Sequence, residues 1–152
     1  MRNTSTPVIC VFLLVCAGVA FAQFDVGEPF DLGVGQSATV GPTGLRVGFQ
    51  QIVAEGRCPI GVHCFWEGAA TGLVWAESPR DPRGFFELST SLPFPTQALF
   101  GGYIIKLVDV APYPREGEVI DPNVYVVTVV VTGAQTLPTE DRTWGAIKAL
   151  YR

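Results

Sequence analysis

The chain has 152 residues, 48% of them hydrophobic and 16% charged, with a formal net charge of -4. That length fits one domain, and that apolar content is enough to build a core, which excludes global disorder. No Lys/Arg-rich run occurs in the sequence, so a nucleic-acid backbone would find no electrostatic footprint on it.

Residues 1–22 read as a signal peptide. Arg2 is the only charge before Asp25, Val8 to Ala22 is a nearly unbroken apolar or small run, and Ala20-Phe21-Ala22 has the small-x-small form of a cleavage site. The run is short for a bilayer span, so no transmembrane segment is expected once cleavage leaves Gln23 at the terminus. Lipid attachment at Cys16 would need a small residue directly before the cysteine, and Val15 is not one. Cleavage removes Cys10 and Cys16 and leaves Cys58 and Cys64 as a single close pair. In an exported chain such a pair is oxidised. The expected location is the periplasm, the cell surface or the extracellular space.

The mature domain is placed at residues 23–132. Phe30 to Val40 is extended and punctuated by glycine, and Gly41-Pro42-Thr43-Gly44 reads as a β-turn. Leu45, Val47 and Phe49 alternate with Arg46, Gly48 and Gln50, as in a half-buried strand. Ile52 and Val53 break that phase, which predicts a bulge or strand end near Gln51. Ala70 to Ala76 is a further strand, with Leu73 and Trp75 on one face. Ser78 to Gly84 is an exposed loop, dense in turn formers. Phe85 to Ser89 and Tyr103 to Val110 are strands. Val124 to Thr132 is apolar on both faces, the mark of a strand in the middle of a sheet. Six or seven short, mainly antiparallel strands with no helical periodicity between them predict an all-β fold, a single β-sandwich.

The most distinctive stretch is Arg57-Cys58-Pro59-Ile60-Gly61-Val62-His63-Cys64-Phe65-Trp66-Glu67-Gly68. Pro59 and Gly61 help the chain turn back, and a Cys58–Cys64 bridge would close a loop worth about 2 kcal/mol and fix a corner between two strands. Trp66 is expected to pack on the bridge or the core beneath it. A redox pair would take C-x-x-C spacing at a helix start. Zinc would need a fuller ligand set than Cys58, Cys64 and the adjacent His63. No metal or other cofactor is expected.

The run R-C-P-x-x-V-x-C-x-W-x-G resembles a motif of small, uncharacterised exported bacterial β-sandwich proteins. Cys58, Pro59, Val62, Cys64, Trp66 and Gly68 carry the match. Tyr103 to Pro114, with Val108-Asp109-Val110-Ala111-Pro112-Tyr113-Pro114, resembles their second recurring segment. In those proteins an acidic residue and a serine often precede the arginine, where Glu55-Gly56 stands here. The resemblance spans roughly Gly35 to Thr132 and implies an exported β-domain without an assigned reaction.

No catalytic set emerges. His63 is the single histidine, no G-x-S-x-G elbow, P-loop or dinucleotide fingerprint occurs, and Glu67, Glu87, Asp109 and Glu118 read as solvated charges. The loop from Ser91 to Gly102 carries Phe94, Leu99 and Phe100. These either anchor a partner or fold down to cap the sandwich. Residues 133–138 read as a linker and residues 139–152 as a tail. In the tail Trp144, Ile147 and Leu150 or Tyr151 recur at helical spacing, with acids early and bases late. Its Thr-Trp-Gly-x-Ile-Lys-x-Leu-Tyr-Arg ending resembles C-terminal tails of otherwise different exported bacterial proteins, which implies a sorting, assembly or anchoring tag. The alternative is a segment packed on the domain.

The leading expectation is a non-enzymatic binding or assembly module of the cell envelope, with Phe94, Phe100, Trp144 and Tyr151 as candidate contacts to an unknown protein or envelope component. A secreted protease inhibitor presenting the cysteine loop, the Ser78–Gly84 loop and the Pro93–Gly102 loop is the first alternative. A carboxylate-based hydrolase is the second.

Overall fold

The computed structural model describes residues 23–134, which form nine strands divided between two sheets. Its strands are β1 (Gln23–Phe24), β2 (Pro29–Gly33), β3 (Ser37–Val40), β4 (Leu45–Glu55), β5 (Ala70–Glu77), β6 (Gly84–Ser89), β7 (Gln97–Phe100), β8 (Tyr103–Ala111) and β9 (Val126–Gly133), with a 3-10 turn at Pro122–Val124. One sheet runs β1-β3-β4-β5-β6 and the other β2-β9-β8-β7, and the chain crosses from one sheet to the other between β1 and β2, β2 and β3, and β6 and β7. The β1–β3 pair is parallel. The other strand pairs are antiparallel. The fold is all-β, and the two sheets share one buried cluster in a sandwich-like arrangement.

The strand count exceeds the expected six or seven for local reasons. Phe30 to Val40 is two strands in different sheets, parted by a turn in which the Gln36 N–H donates to the Gly33 carbonyl at 2.9 Å. Gly35 takes φ +77° there, a conformation that glycine adopts without strain. Strand β7 lies inside the stretch read as a loop. It pairs with β8 through a hairpin closed by Gly101 and Gly102, whose φ values are +56° and +82°. The β3–β4 turn falls at Gly41 to Gly44 as expected, and β4 has register shifts between Phe49 and Gln51 and again between Ile52 and Ala54.

Alternation fills the core. Leu45, Val47 and Phe49 from β4 meet Ile105, Leu107 and Val110 from β8 and Val127, Val129 and Val131 from β9, all essentially without solvent contact. Each such side chain contributes about 1.5–3 kcal/mol. Strand β9 lies between β2 and β8, the interior position that its two apolar faces predict. Val124 is outside it, in the 3-10 turn that Asp121 caps by accepting the Asn123 N–H. Gly133 belongs to β9 and pairs with Tyr103, so the strand extends one residue past the expected domain boundary. The signal peptide, the remainder of the 133–138 linker after Ala134, and the helical tail lie outside the described residues.

Leu73 and Trp75 do share a face of β5, but it is the outer face. Ala70, Val74 and Ala76 face the core instead. Trp75 escapes solvent by lying across Gly48, where a Cβ would fall inside its indole ring. The Arg83 guanidinium covers it at 3.8 Å, and Arg46 and Arg83 both pair with Glu77 at 2.9 Å.

Candidate functional site

Glu55 and Arg57, two residues apart on an extended chain, project to the same side as β4 ends. Arg57 is only 7% exposed. Its Nε donates to Glu55 Oε1 at 2.9 Å, and one terminal nitrogen donates to the Pro112 carbonyl at 2.9 Å and also to Glu55. The other terminal nitrogen donates to the Val110 carbonyl. The Tyr113 ring stacks on the guanidinium at 4.8 Å, and the Tyr125 hydroxyl donates to Glu55 at 3.2 Å. Arg57 thereby ties the cysteine loop of one sheet to the end of β8 in the other.

Electrostatics of this knot follow from its burial and pairing. Burial pushes the Glu55 carboxyl up, but hydrogen bonds and charge from Arg57, with the Tyr125 hydroxyl, outweigh it and hold the group below its ordinary value. Burial pulls Arg57 down, and Glu55 more than restores it. Tyr125 is raised by burial and by the neighbouring carboxylate.

From this anchor the loop runs outward as a finger. The Gly56 N–H donates to the Ala69 carbonyl at 2.9 Å and the Cys58 N–H to the Glu67 carbonyl at 2.7 Å, extending the β4–β5 ladder. Gly68 has φ +73°, and a Cβ there would run into the Gly56 carbonyl, so only glycine closes this crossing. Cys58 and Cys64 form the expected disulfide. Ile60 bridges to Arg115 in the β8–β9 loop: its N–H donates to the Pro114 carbonyl at 2.9 Å, and its carbonyl accepts from the Glu116 N–H at 3.0 Å. The finger is thus held at its base, its waist and its tip.

Its apolar side chains point outward. Phe65 is 106% exposed and Trp66 55%, with Ile60 and Val62 also exposed. The expectation that Trp66 packs on the bridge or core is therefore corrected. Phe65 and Trp66 lie between Cys64, bonded to Cys58, and Glu67, paired with Cys58, on a stretch that belongs to neither sheet. Apolarity alone argued for burial, so Phe65 and Trp66 were missed as surface groups. The signal available in the sequence was two bulky aromatics directly after a half-cystine with no apolar alternation around them.

The other candidates are dispersed. Phe94 is exposed and lines a shallow groove with Val53, Ala54, Thr71, Glu87 and Pro95. Phe100 is half-buried on β7, edge-on to Phe86 at 6.0 Å. Trp144 and Tyr151 lie outside the described residues. Glu67 is on the finger, Glu87 on β6, Asp109 on β8 and Glu118 in the β8–β9 loop. Asp109 accepts the Val110 N–H at 2.7 Å. Among the described residues no cluster of three or more His, Cys, Asp or Glu is placed to hold a metal ion, and no helix is long and apolar enough to cross a membrane.

The three loops of the inhibitor expectation do not share one end. The finger joins Glu55 to Ala70, whereas Ser78 to Arg83 joins the opposite ends of β5 and β6. There they line a cleft of about 490 Å³ with Thr43, Tyr103 and the Gly101–Gly102 turn. Comparison with protein-family models, with curated proteins and with solved structures returns no match.

Proposed function

We propose that this chain is an exported, non-enzymatic binding or assembly module of the cell envelope, and that the braced finger is its contact surface. One observation carries the reading: Phe65 and Trp66 stand exposed on a loop held by a disulfide, a buried arginine and a bridge to the opposite sheet. A loop so constrained loses little conformational freedom when it binds, which favours tight contact. Aromatic groups on such a support are the usual anchors of an interface. The disulfide suits an oxidising, exported setting.

The test is photo-crosslinking in cells that export the protein, with a photoreactive amino acid in place of Phe65 and, as a control, in place of exposed Phe85 on the outer face of β6. Envelope-derived adducts at position 65 and not at 85 are expected. Equal or absent adducts at both positions would remove the finger as the contact surface.

A further inference from the structure

The two halves of the finger differ in what they leave open. In the first half the N–H groups of Cys58, Ile60 and Val62 bond to the carbonyls of Glu67, Pro114 and Pro59, and the Glu116 carboxylate lies against Gly61. In the second half, among the described residues, neither the N–H nor the carbonyl of His63, Cys64, Phe65 or Trp66 has a backbone partner, and all four residues are exposed. The chain bends at Phe65 and Trp66, and the Phe65 ring is turned wholly to solvent. An endopeptidase cleft holds a chain through its free main-chain groups and takes one side chain in a pocket. This half of the finger offers both.

The peptide bond between Phe65 and Trp66 is also tethered on both sides to the same residue. Cys64, directly before Phe65, is joined to Cys58 by the disulfide, and Glu67, directly after Trp66, accepts the Cys58 N–H at 2.7 Å. Cys58 is in turn fixed by its neighbour Arg57, which reaches the Pro112 carbonyl of the opposite sheet. If this bond is cut, the acid end stays at the disulfide and the amine end at the ladder that leads into β5. A partner that only gripped Phe65 would gain nothing from this second clamp. A partner that attacks the bond would be held by it.

We infer that the finger is the inhibitory loop of a serine endopeptidase inhibitor, with the Phe65 ring in the enzyme's specificity pocket and the Phe65–Trp66 bond presented to its nucleophile. The inference deepens the proposed binding role and rests on the finger being the contact surface. The serine oxygen adds to the Phe65 carbonyl carbon and the bond to the Trp66 nitrogen breaks. The enzyme's histidine passes the serine proton to that nitrogen, which leaves as an amine. In an ordinary substrate the amine diffuses away and water hydrolyses the ester. Here the amine stays beside the ester, and its attack remakes the peptide bond and frees the serine faster than water removes the acyl group. The class of pocket follows from the side chain. Phe65 fits a hydrophobic slot, and no Lys or Arg lies between Cys58 and Gly68 to suit a pocket lined by a carboxylate.

The experiment uses the exported, disulfide-bonded protein purified after secretion, with chymotrypsin as the probe for a hydrophobic pocket and trypsin for a carboxylate-lined one. Hydrolysis of a small chromogenic substrate reads inhibition, and mass spectrometry under denaturing conditions reads cleavage. Wild type should inhibit chymotrypsin and not trypsin, and should be cut slowly and incompletely between Phe65 and Trp66. Phe65→Ala should weaken inhibition of chymotrypsin roughly thirtyfold or more, the loss of an interface anchor, and Phe65→Arg should transfer inhibition to trypsin. Urea unfolding of both variants should match wild type, since Phe65 does not contribute to the core. Absence of inhibition, inhibition indifferent to Phe65→Ala, a Phe65→Arg variant without effect on trypsin, or rapid and complete cleavage at Phe65–Trp66 overturns the assignment. If chymotrypsin is untouched while position 65 crosslinks to an envelope component, the inhibitor inference falls and the binding module stands. If neither occurs, both fall.

Discussion

Arg57→Ala is expected to destabilise the domain more than loss of its disulfide. The substitution removes four side-chain hydrogen bonds, two to Glu55 and one each to the carbonyls of Val110 and Pro112. Both carbonyls then lose a charged donor, and Glu55 keeps only the Tyr125 hydroxyl and the backbone N–H of residue 57. Breaking a buried ion pair from one side costs about 3–5 kcal/mol. Glu55 retains 24% side-chain exposure, which places the expected loss near the lower end, about 3 kcal/mol. The disulfide closes a short loop worth about 2 kcal/mol. Equilibrium urea unfolding of the oxidised protein measures the difference, as a midpoint lowered by roughly 1–3 M at the slopes usual for small domains. Arg57→Lys keeps the charge and loses the fork, and should recover at most half. A loss below about 1 kcal/mol for Arg57→Ala, or full rescue by lysine, would refute the reasoning.

Three other outcomes are expected. Replacing Cys58 and Cys64 together by Ser should lower stability by about 2 kcal/mol and leave the far-ultraviolet circular dichroism of the sheets unchanged; global unfolding would mean that the core does not sustain the fold unaided. Gly48→Ala should dislodge Trp75 from its notch, costing about 1–3 kcal/mol and shifting tryptophan emission to the red, whereas an unchanged spectrum would show that the notch is not tight. Because the folded Glu55 carboxyl sits below its ordinary value of 4.5, its contribution is complete above that pH and is lost as pH falls through the lower folded value. Glu55→Gln should therefore flatten the decline of stability below about pH 4.5, and an acid profile as steep as wild type would exclude Glu55 as its source.

Features set by neighbouring residues were legible in the sequence. The phase break at Ile52–Val53 announced the bulges of β4, the valines of β9 announced an interior strand, and the close pair of cysteines left after the expected cleavage announced their bond. Features set by distant residues were not. That the face shared by Leu73 and Trp75 is the outer one, with Trp75 buried on it, depends on Gly48 of the neighbouring strand, which supplies the notch. The burial of Arg57 depends on the carbonyls of Val110 and Pro112 at the end of β8, more than fifty residues on, and its partner Glu55 on the Tyr125 hydroxyl just before β9. Strand β7 is hidden among prolines and glycines because it is short and at an edge, where its pairing comes from β8 alone. The finger was recognised as the distinctive motif, but the direction of its aromatics depended on a bridge geometry that spacing does not give.

The pairing of β2 with β9 has a consequence for how the chain is made. Asp31 and Thr128 are 97 residues apart, yet their side chains bond at 2.6 Å and their strands lie side by side. A polypeptide emerging N-terminus first leaves β2 without its neighbour until almost the whole domain has been delivered. Closing so wide a loop is costly in entropy and slows folding. The nascent chain is thus kept from completing its second sheet early, and a copy truncated before Val126 would leave Phe30 and Leu32 with no strand beside them.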